Sequence, residues 1–220
     1  TQSFIDALKK IGRQGAVIEY PNGRKRSIES AVRTNIITGV NQTCGKMQEM
    51  RANEVGWDLM EITAHSGARP DHAKWQGKII SLSGQRGYLS KRDIGYGEAT
   101  GFKGINCRHD WYPYYKGSTR TYTQNELNKW KNEKVTYNGK KISKYDATQI
   151  QRRMERQIRA DKKELKVQQA LLTSNNKDIN IEEVQAEIRN IKARQKEHND
   201  ILNNFLNQTG LRKDNSRLVV

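Results

Sequence analysis

The sequence has little cysteine, no CxxC pair and no long apolar run, and each shortage excludes a class of protein. The 220 residues contain two cysteines, Cys44 and Cys107. This excludes a disulfide-dense secreted scaffold and favours a reducing compartment, although a single disulfide remains an alternative. No apolar run is long enough to span a membrane and no stretch has the pattern of a signal peptide, so no membrane partner is expected. The hydrophobic fraction of 34% predicts a modest core.

What the chain has in excess is positive charge. Forty Lys and Arg residues against 24 Asp and Glu give a net charge of +16. Residues 1–143 carry +11 of this and residues 144–220 carry +5. A basic balance of this size suits a polyanionic partner, such as double-stranded DNA or an acidic protein surface, while simple solubility is the alternative interpretation. The candidate nucleic-acid contacts are Arg24, Lys25 and Arg26 on a basic exposed strand, together with Arg69 and Arg108.

The pattern along the chain predicts an α+β fold, with a small sheet, packing helices and a C-terminal antiparallel helical hairpin that resembles a coiled coil. The chain begins with Thr1 rather than Met, which indicates a fragment or a processed chain. We expect residues 1–12 to be a helical segment at the end of a longer upstream region. An α+β domain over 13–125, a connector over 126–142 and the hairpin with its tail over 143–220 then follow.

Apolar spacing defines the long helices. A helix over 28–54 has the approximate apolar stripe Ile28, Ala31, Val32, Ile36, Val40, Met47 and Met50. Met47 and Met50 are expected in the core. A second helix over 144–172 is assigned the stripe Tyr145, Ile150, Met154, Ile158, Leu165 and Leu172. A third, over 181–207, has the 3-4 spacing of a coiled-coil seam at Ile181, Val184, Ile188, Ile191, Gln195, His198, Leu202 and Phe205. His198 is interpreted as a packing residue, because a lone histidine has no partners to bind metal.

Unusual side-chain chemistry is concentrated between residues 65 and 109, which hold three of the four histidines and one of the cysteines. A strand over 57–63 would leave His65 at a strand end, a common position for functional groups. Pro70 and Asp71 suit the first positions of a short helix, and Gly77 suits its left-handed end. Six glycines between 83 and 104 then predict a long loop that is either functional or disordered.

The sharpest chemical hypothesis is a zinc site formed by His65, His72, Cys107 and His109, all of which are good zinc ligands. The spacings His-x6-His and Cys-x-His are unusual for zinc, and otherwise no cofactor is expected. The alternative is a polar network in which the histidines bond to Asp71, Asn106 or backbone and hold the glycine-rich loop against the short helix. Cys107 would then be a small buried hydrophobe.

An enzymatic alternative also has to be considered. A metal-dependent nuclease, or another metal-dependent hydrolase acting on nucleic acid, would use His72, Asp71 and His109 as catalytic residues. No recognisable nuclease spacing is present, so a non-enzymatic protein is expected. Arg69 and Arg108 would contact phosphate on an exposed site, or pair with Asp71 or Asp110 in a buried one. The aromatic run 111–115 is expected in the core and in turns rather than stacked on bases.

Four segments, 63–84, 104–117, 145–159 and 209–212, resemble the phage minor capsid protein 2 family, which is related to the Mu F-like head morphogenesis proteins. The first reads TAHSGARPDHAKWQGKIISLSG and the second GINCRHDWYPYYKG, and both are long and specific. The positions that match the family pattern are His65, Arg69, Pro70, His72, Gly77, Asn106, Cys107, Arg108 and His109. The resemblance extends over roughly residues 20–215 and brings no catalytic role to these positions.

The resemblance implies a minor head protein that takes part in head morphogenesis. Such a protein would be found in the virion, in the capsid interior or near the portal, and in the host cytoplasm before assembly. Its partners would be portal or capsid proteins and packaged double-stranded DNA.

Overall fold

The structure is a computed structural model that describes residues 7, 10–13, 15–174 and 179–220. Its strands are β1 (Val17–Glu19), β2 (Lys25–Ser27), β3 (Leu59–Ile62), β4 (Ile79–Ser81), β5 (Leu89–Ser90), β6 (Trp111–Pro113), β7 (Lys134–Tyr137) and β8 (Lys140–Ser143). Its helices are α1 (Ile28–Glu54), α2 (Gln124–Lys131), α3 (Lys144–Leu172) and α4 (Ile181–Thr209). Short 3-10 turns occur at His72–Lys74 and Asn215–Arg217. The chain is therefore α+β, as predicted.

The chain forms two compact units. The sheet unit contains residues 29–133 and 143–145, and the hairpin unit contains residues 134–142, 146–220 and the described part of 1–28. The domain limits predicted from sequence, at 13, 125 and 143, remain a prediction. Of the predicted N-terminal helical segment 1–12, residues 7 and 10–12 are helical and the remainder lies outside the described residues.

The sheet unit is organised around β3, whose four residues are all buried. The strand order is β5-β4-β3-β6, with β3 antiparallel to both neighbours and β4 parallel to β5. Glu61 on this strand is compensated by Arg120, whose Nε lies 3.0 Å from the carboxylate. A charge at the centre of a sheet is tolerated only with such a partner.

The core of the sheet unit is rich in aromatic side chains. Its buried members are Ala52, Met60, Ile62, Trp75, Ile80, Leu82, Ile94, Phe102, Cys107 and Trp111. The rings of Phe102 and Trp111 have centroids 4.8 Å apart, and those of Trp75 and Phe102 are 5.7 Å apart. Trp111 was expected in the core, but the strand β6 that carries it was not predicted. The aromatic run 111–115 turns outward after Trp111, so that Tyr115 is 65% exposed.

Helix α1 has the predicted bounds but buries only Ala31 of the predicted stripe. Met47 and Met50 are 53% and 62% exposed, so their assignment to the core was wrong. The buried positions are small: Ala31, Thr34, Gly45 and Ala52. A Cβ at Gly45 would lie 2.9 Å from Lys103 Cε. The helix therefore approaches its neighbour through small residues, which apolar periodicity does not reveal.

The hairpin unit contains α3 and α4, which pack antiparallel as predicted. Ile158 and Leu202 share one apolar cluster with Leu218. Further along α3, Asp161 contacts His198 and Arg194, at lower numbers on α4. Ascending positions on one helix thus meet descending positions on the other. The coiled-coil character of this pair remains a prediction.

The buried face of α3 is polar, contrary to the stripe predicted for this helix. Of that stripe only Ile158 is buried, while Leu172 is 37% exposed. The buried positions are Ala147, Gln151, Glu155, Ile158, Asp161, Glu164 and Gln168. Arg194 Nη2 lies 2.5 Å from Glu164 and Arg194 Nε 2.9 Å from Asp161, which compensates both carboxylates. His198 is a packing residue in this seam, with Nδ1 2.5 Å from Asp161.

Two further properties bear on the expectations from sequence. Cys44, which is exposed, and Cys107, which is buried, are both free thiols. In the described part of the chain no helix is both long enough and apolar enough to cross a membrane.

Candidate metal centre

The pairing of β3 with β6 determines where the site lies. The two strands are antiparallel and Ile62 is opposite Trp111, so the residues just after β3 meet those just before β6. Thr63 N–H donates to the Asp110 carbonyl over 2.8 Å, and Asp110 N–H donates to Thr63 Oγ1 over 2.8 Å. This junction brings His65 and His109 side by side, with stacked rings whose centroids are 4.6 Å apart.

The segment between β3 and β4 brings His72 to the same place. Pro70 precedes the 3-10 turn that begins at His72. Gly77 then adopts φ 67°, and its N–H donates to the Ile62 carbonyl over 3.0 Å. This left-handed backbone angle favours glycine, and a Cβ there would also displace the methyl groups of Leu127, the nearer of which would lie 2.7 Å away. The returning chain places His72 and Gln76 against His109.

Three possible ligand atoms converge in the interior of the sheet unit. His72 Nδ1 lies 3.2 Å from His109 Nδ1. Cys107 Sγ lies 3.8 Å from the first and 3.7 Å from the second. His72 is 2% exposed, Cys107 4% and His109 1%. Within the described residues they form a group that could hold a metal ion.

His65, the fourth predicted ligand, is not in this group. Its Nδ1 lies 3.0 Å from the Ser66 carbonyl oxygen, and its ring covers that of His109. Its Nε2 is buried and has no hydrogen-bond partner among the described residues. The structure therefore brings three of the four predicted ligands together and leaves His65 beside them.

Burial keeps these groups uncharged at neutral pH. Burial lowers the pKa of His109 to about 2. Burial also lowers the pKa of His72, and this effect outweighs the hydrogen bond to the Thr100 carbonyl, which raises that pKa. Burial raises the pKa of the Cys107 thiol. Both imidazoles are thus neutral, which is the form of histidine that binds metal ions.

Two residues that sequence reasoning missed hold the imidazoles in place. His72 Nε2 lies 2.8 Å from the Thr100 carbonyl oxygen, and His109 Nε2 lies 3.1 Å from Gln76 Oε1. Thr100 belongs to the glycine-rich loop, which is ordered as a series of turns. A Cβ at Gly101 would overlap the Gly95 carbonyl oxygen, so close backbone approach is the reason for glycine there. The high glycine content of the loop was the feature of the sequence that could have indicated this close backbone approach.

A buried lysine fixes the segment that carries Cys107 and His109. Lys103 is 1% exposed, and its Nζ lies 2.6 Å from Asp110 Oδ1 and 2.8 Å from Asn41 Oδ1. Asn41 Nδ2 donates to the Cys107 carbonyl over 3.0 Å. No sequence pattern indicated a lysine in this core, because lysine is almost never fully buried without a partner.

The arginines of this region do not form the ion pairs considered from sequence. Asp110 is paired with Lys103, and Asp71 with Lys74 over 3.7 Å on the surface. Arg69 instead donates through Nη2 to the Ile105 carbonyl over 2.7 Å. Arg108 and Asn106 are exposed, and Asn106 has φ 56°. Arg108 thus remains available to an external partner.

Comparison with known proteins agrees with the resemblance of these motifs. The family model for phage minor capsid protein 2 matches residues 1–203, which include the whole candidate centre. The chain belongs to the phage minor capsid protein 2 family. A structural protein of Lactococcus phage LL-H is 30% identical over 161 residues, which are 70% of this chain and 40% of that protein. This minor capsid family chain therefore spans well under half the length of that relative. No solved structure matches this chain.

Proposed function

We propose that this chain is a non-enzymatic part of the phage head that acts in the capsid interior or near the portal and contacts the packaged DNA. The observation that carries the proposal is the family match over residues 1–203, joined to a net charge of +16. The relative in Lactococcus phage LL-H is named a structural protein, which supports a place in the virion. Portal or capsid proteins would be the protein partners.

The β1–β2 hairpin is the candidate DNA contact with the clearest geometry. Arg24 and Lys25 are exposed at its turn, Arg26 is half-buried, and Lys25 is 3.2 Å from Glu19 in a solvent-exposed pair. Such a pair contributes little and can be exchanged for phosphate contacts. Arg69 and Arg108 supply further candidate phosphate contacts in the sheet unit.

Quantitative mass spectrometry of purified virions tests the place of the protein in the particle. We expect a few copies of the chain per particle, and we expect the chain to be absent from lysate fractions that contain no particles. A chain that is made during infection but absent from virions would contradict the structural role.

DNA binding is tested by fluorescence anisotropy with a duplex of arbitrary sequence over a range of salt concentrations. The affinity should fall with a log–log slope of about −0.9 for each phosphate contacted. Replacing Arg24, Lys25 and Arg26 by Ala should reduce both affinity and slope. Replacing the exposed residues Lys134, Lys140 and Lys141 by Ala removes the same charge from the β7–β8 hairpin and is the matched control. Equal losses in both variants would contradict a specific role for the β1–β2 hairpin.

The nuclease hypothesis makes a different prediction. A metal-dependent nuclease would nick plasmid with Mg²⁺ or Mn²⁺ and lose this activity on His72→Ala. We expect no turnover, because His72, Cys107 and His109 are all buried. A zinc ion held by these residues would accordingly be a structural element of a head protein.

A further inference from the structure

We propose that His72 Nδ1, Cys107 Sγ and His109 Nδ1 bind one zinc ion in the sheet unit. This goes beyond the proposed head function and does not depend on it. The proposal rests on which atoms of the two imidazoles carry hydrogen and on how far apart the three ligand atoms lie. Both can be derived from contacts whose donors and acceptors are unambiguous.

The tautomer of His109 follows from a chain of two hydrogen bonds. The backbone N–H of His65 can only donate, and its partner 3.1 Å away is the side chain of Gln76. The atom it meets must therefore be the amide oxygen, Oε1. The same oxygen lies 3.1 Å from His109 Nε2, which must then carry a hydrogen to donate. In a neutral imidazole this leaves Nδ1 as a bare lone pair.

The tautomer of His72 follows more directly. Its Nε2 lies 2.8 Å from the carbonyl oxygen of Thr100, which can only accept. His72 Nε2 therefore carries the hydrogen, and its Nδ1 is bare as well. A histidine that binds metal through one ring nitrogen almost always donates from the other to a carbonyl or similar acceptor, and both histidines meet that description.

The two bare nitrogens face each other 3.2 Å apart, and among the described residues the Cys107 thiol is the only hydrogen donor beside them. One S–H can satisfy one acceptor, so without a cation the second nitrogen would be a buried acceptor with no donor. Such groups are rare in folded proteins and destabilise them. A bound cation satisfies both nitrogens and the sulfur at once, and the thiol releases its proton when the metal–sulfur bond forms.

The separations also fit tetrahedral zinc. Zinc–nitrogen bonds of about 2.05 Å and a zinc–sulfur bond of about 2.3 Å place two nitrogens about 3.3 Å apart and nitrogen and sulfur about 3.6 Å apart. The structure has 3.2 Å between the nitrogens, and 3.7 Å and 3.8 Å from nitrogen to sulfur. A thiolate with two imidazoles is a donor set that suits zinc.

His65 stacks on His109 but lies outside the group of three ligand atoms. Its Nδ1 lies 3.0 Å from the Ser66 carbonyl oxygen, so Nδ1 carries the hydrogen and the buried Nε2 is bare. His65→Ala should therefore leave zinc bound, since all three ligands remain. His72→Ala, by contrast, should remove the site.

The experiment uses the full chain, purified without a metal-binding tag. Elemental analysis should find about one zinc per chain. Cobalt titrated into the chelator-treated protein should give the visible bands of a tetrahedral site together with a near-ultraviolet thiolate-to-cobalt charge-transfer band. The two free cysteines and the remaining histidine provide matched controls. Cys107→Ser should lose the charge-transfer band while Cys44→Ser keeps it, and His72→Ala should lose zinc while His198→Ala keeps it.

The wild-type chain keeps the test decisive if a variant fails to fold. X-ray absorption of the zinc-loaded protein should show one sulfur at about 2.3 Å with nitrogen neighbours at about 2.0 Å. Substoichiometric zinc in the wild type, a zinc shell without sulfur, or a charge-transfer band that Cys44→Ser removes would each overturn the proposal.

Discussion

Replacing Gln76 by leucine tests the proposed zinc centre without touching any ligand. Gln76 is 4% exposed, and its Oε1 accepts hydrogen bonds from His109 Nε2–H and from the His65 N–H. Leucine fills a similar volume but accepts neither bond. His109 is then free to carry its hydrogen on Nδ1, the tautomer that cannot bind the metal.

The size of the expected loss in zinc affinity follows from the role of the hydrogen bond between Gln76 and His109. Removing a group that orients a metal-binding histidine typically lowers metal affinity 10–100-fold, which is about 1.4–2.8 kcal/mol. The loss of zinc affinity should fall in that range, because Cys107 keeps its own contacts and His72 stays fixed by the Thr100 carbonyl. Gln76→Glu should act in the opposite direction, since a carboxylate accepts both bonds and makes the imidazole a stronger ligand.

The assay is competition between the full chain and a chromophoric chelator for zinc. Gln85→Leu is the control, because it makes the same substitution at an exposed position of the same unit. Wild-type affinity in Gln76→Leu, measured on protein that is still folded, would refute the tautomer argument. Equal losses in the Leu and Glu variants would also refute it, because only one of them removes the acceptor.

The remaining predictions concern the hairpin unit. Leu202→Ala should lower the free energy of unfolding by about 3 kcal/mol in urea denaturation, because Leu202 is fully buried, while Ile201→Ala at a 41% exposed position should cost far less. Asp161→Asn should cost about 2–3 kcal/mol, less than a fully enclosed pair because its partner Arg194 is one-third exposed, and an unchanged midpoint would contradict this. Burial raises the pKa of Glu155, so the folded state loses stability as pH rises from 4.5 through the folded-state pKa. Glu155→Gln should flatten that decline in thermal melts, and a parallel pH profile would exclude the effect.

The sequence predicted the elements of this fold better than their buried faces. The Pro-Asn-Gly sequence after Tyr20 is typical of a hairpin turn and lies between β1 and β2, and Thr123 and Glu126 have the spacing of the capping box that they form. Helix α1 begins and ends where its pattern indicated. Only Ala31 of its predicted stripe is buried, and the rest of the buried face was missed because close packing selects Thr34, Gly45 and Ala52 rather than large apolar residues. Periodicity records where apolar residues stand, and not which side another element approaches.

The candidate site was predictable in its residue types and not in its geometry. His72, Cys107 and His109 could be named because imidazole and thiolate are metal ligands wherever they are found. Gln76 and Thr100 could not, since an amide and a backbone carbonyl are common in every sequence. Their role depends on the return of the chain at Gly77 and on the turns of the glycine-rich loop, which are tertiary features.

The polar seam of the hairpin, like the missed contacts of the site, depends on how the elements pack against each other. Asp161 and Glu164 lie three residues apart on α3 and both accept from Arg194, whose planar guanidinium donates in two directions. A shift of α4 by one helical turn would move Arg194 about 5.4 Å and leave two buried carboxylates without it. Arg13 Nη1, 3.3 Å from Asp161 and 2.9 Å from Glu164, would still compensate them in part. Losing Arg194 would nevertheless cost free energy that an apolar seam would not lose by sliding. The charges therefore select one register, and an apolar stripe could not have shown this.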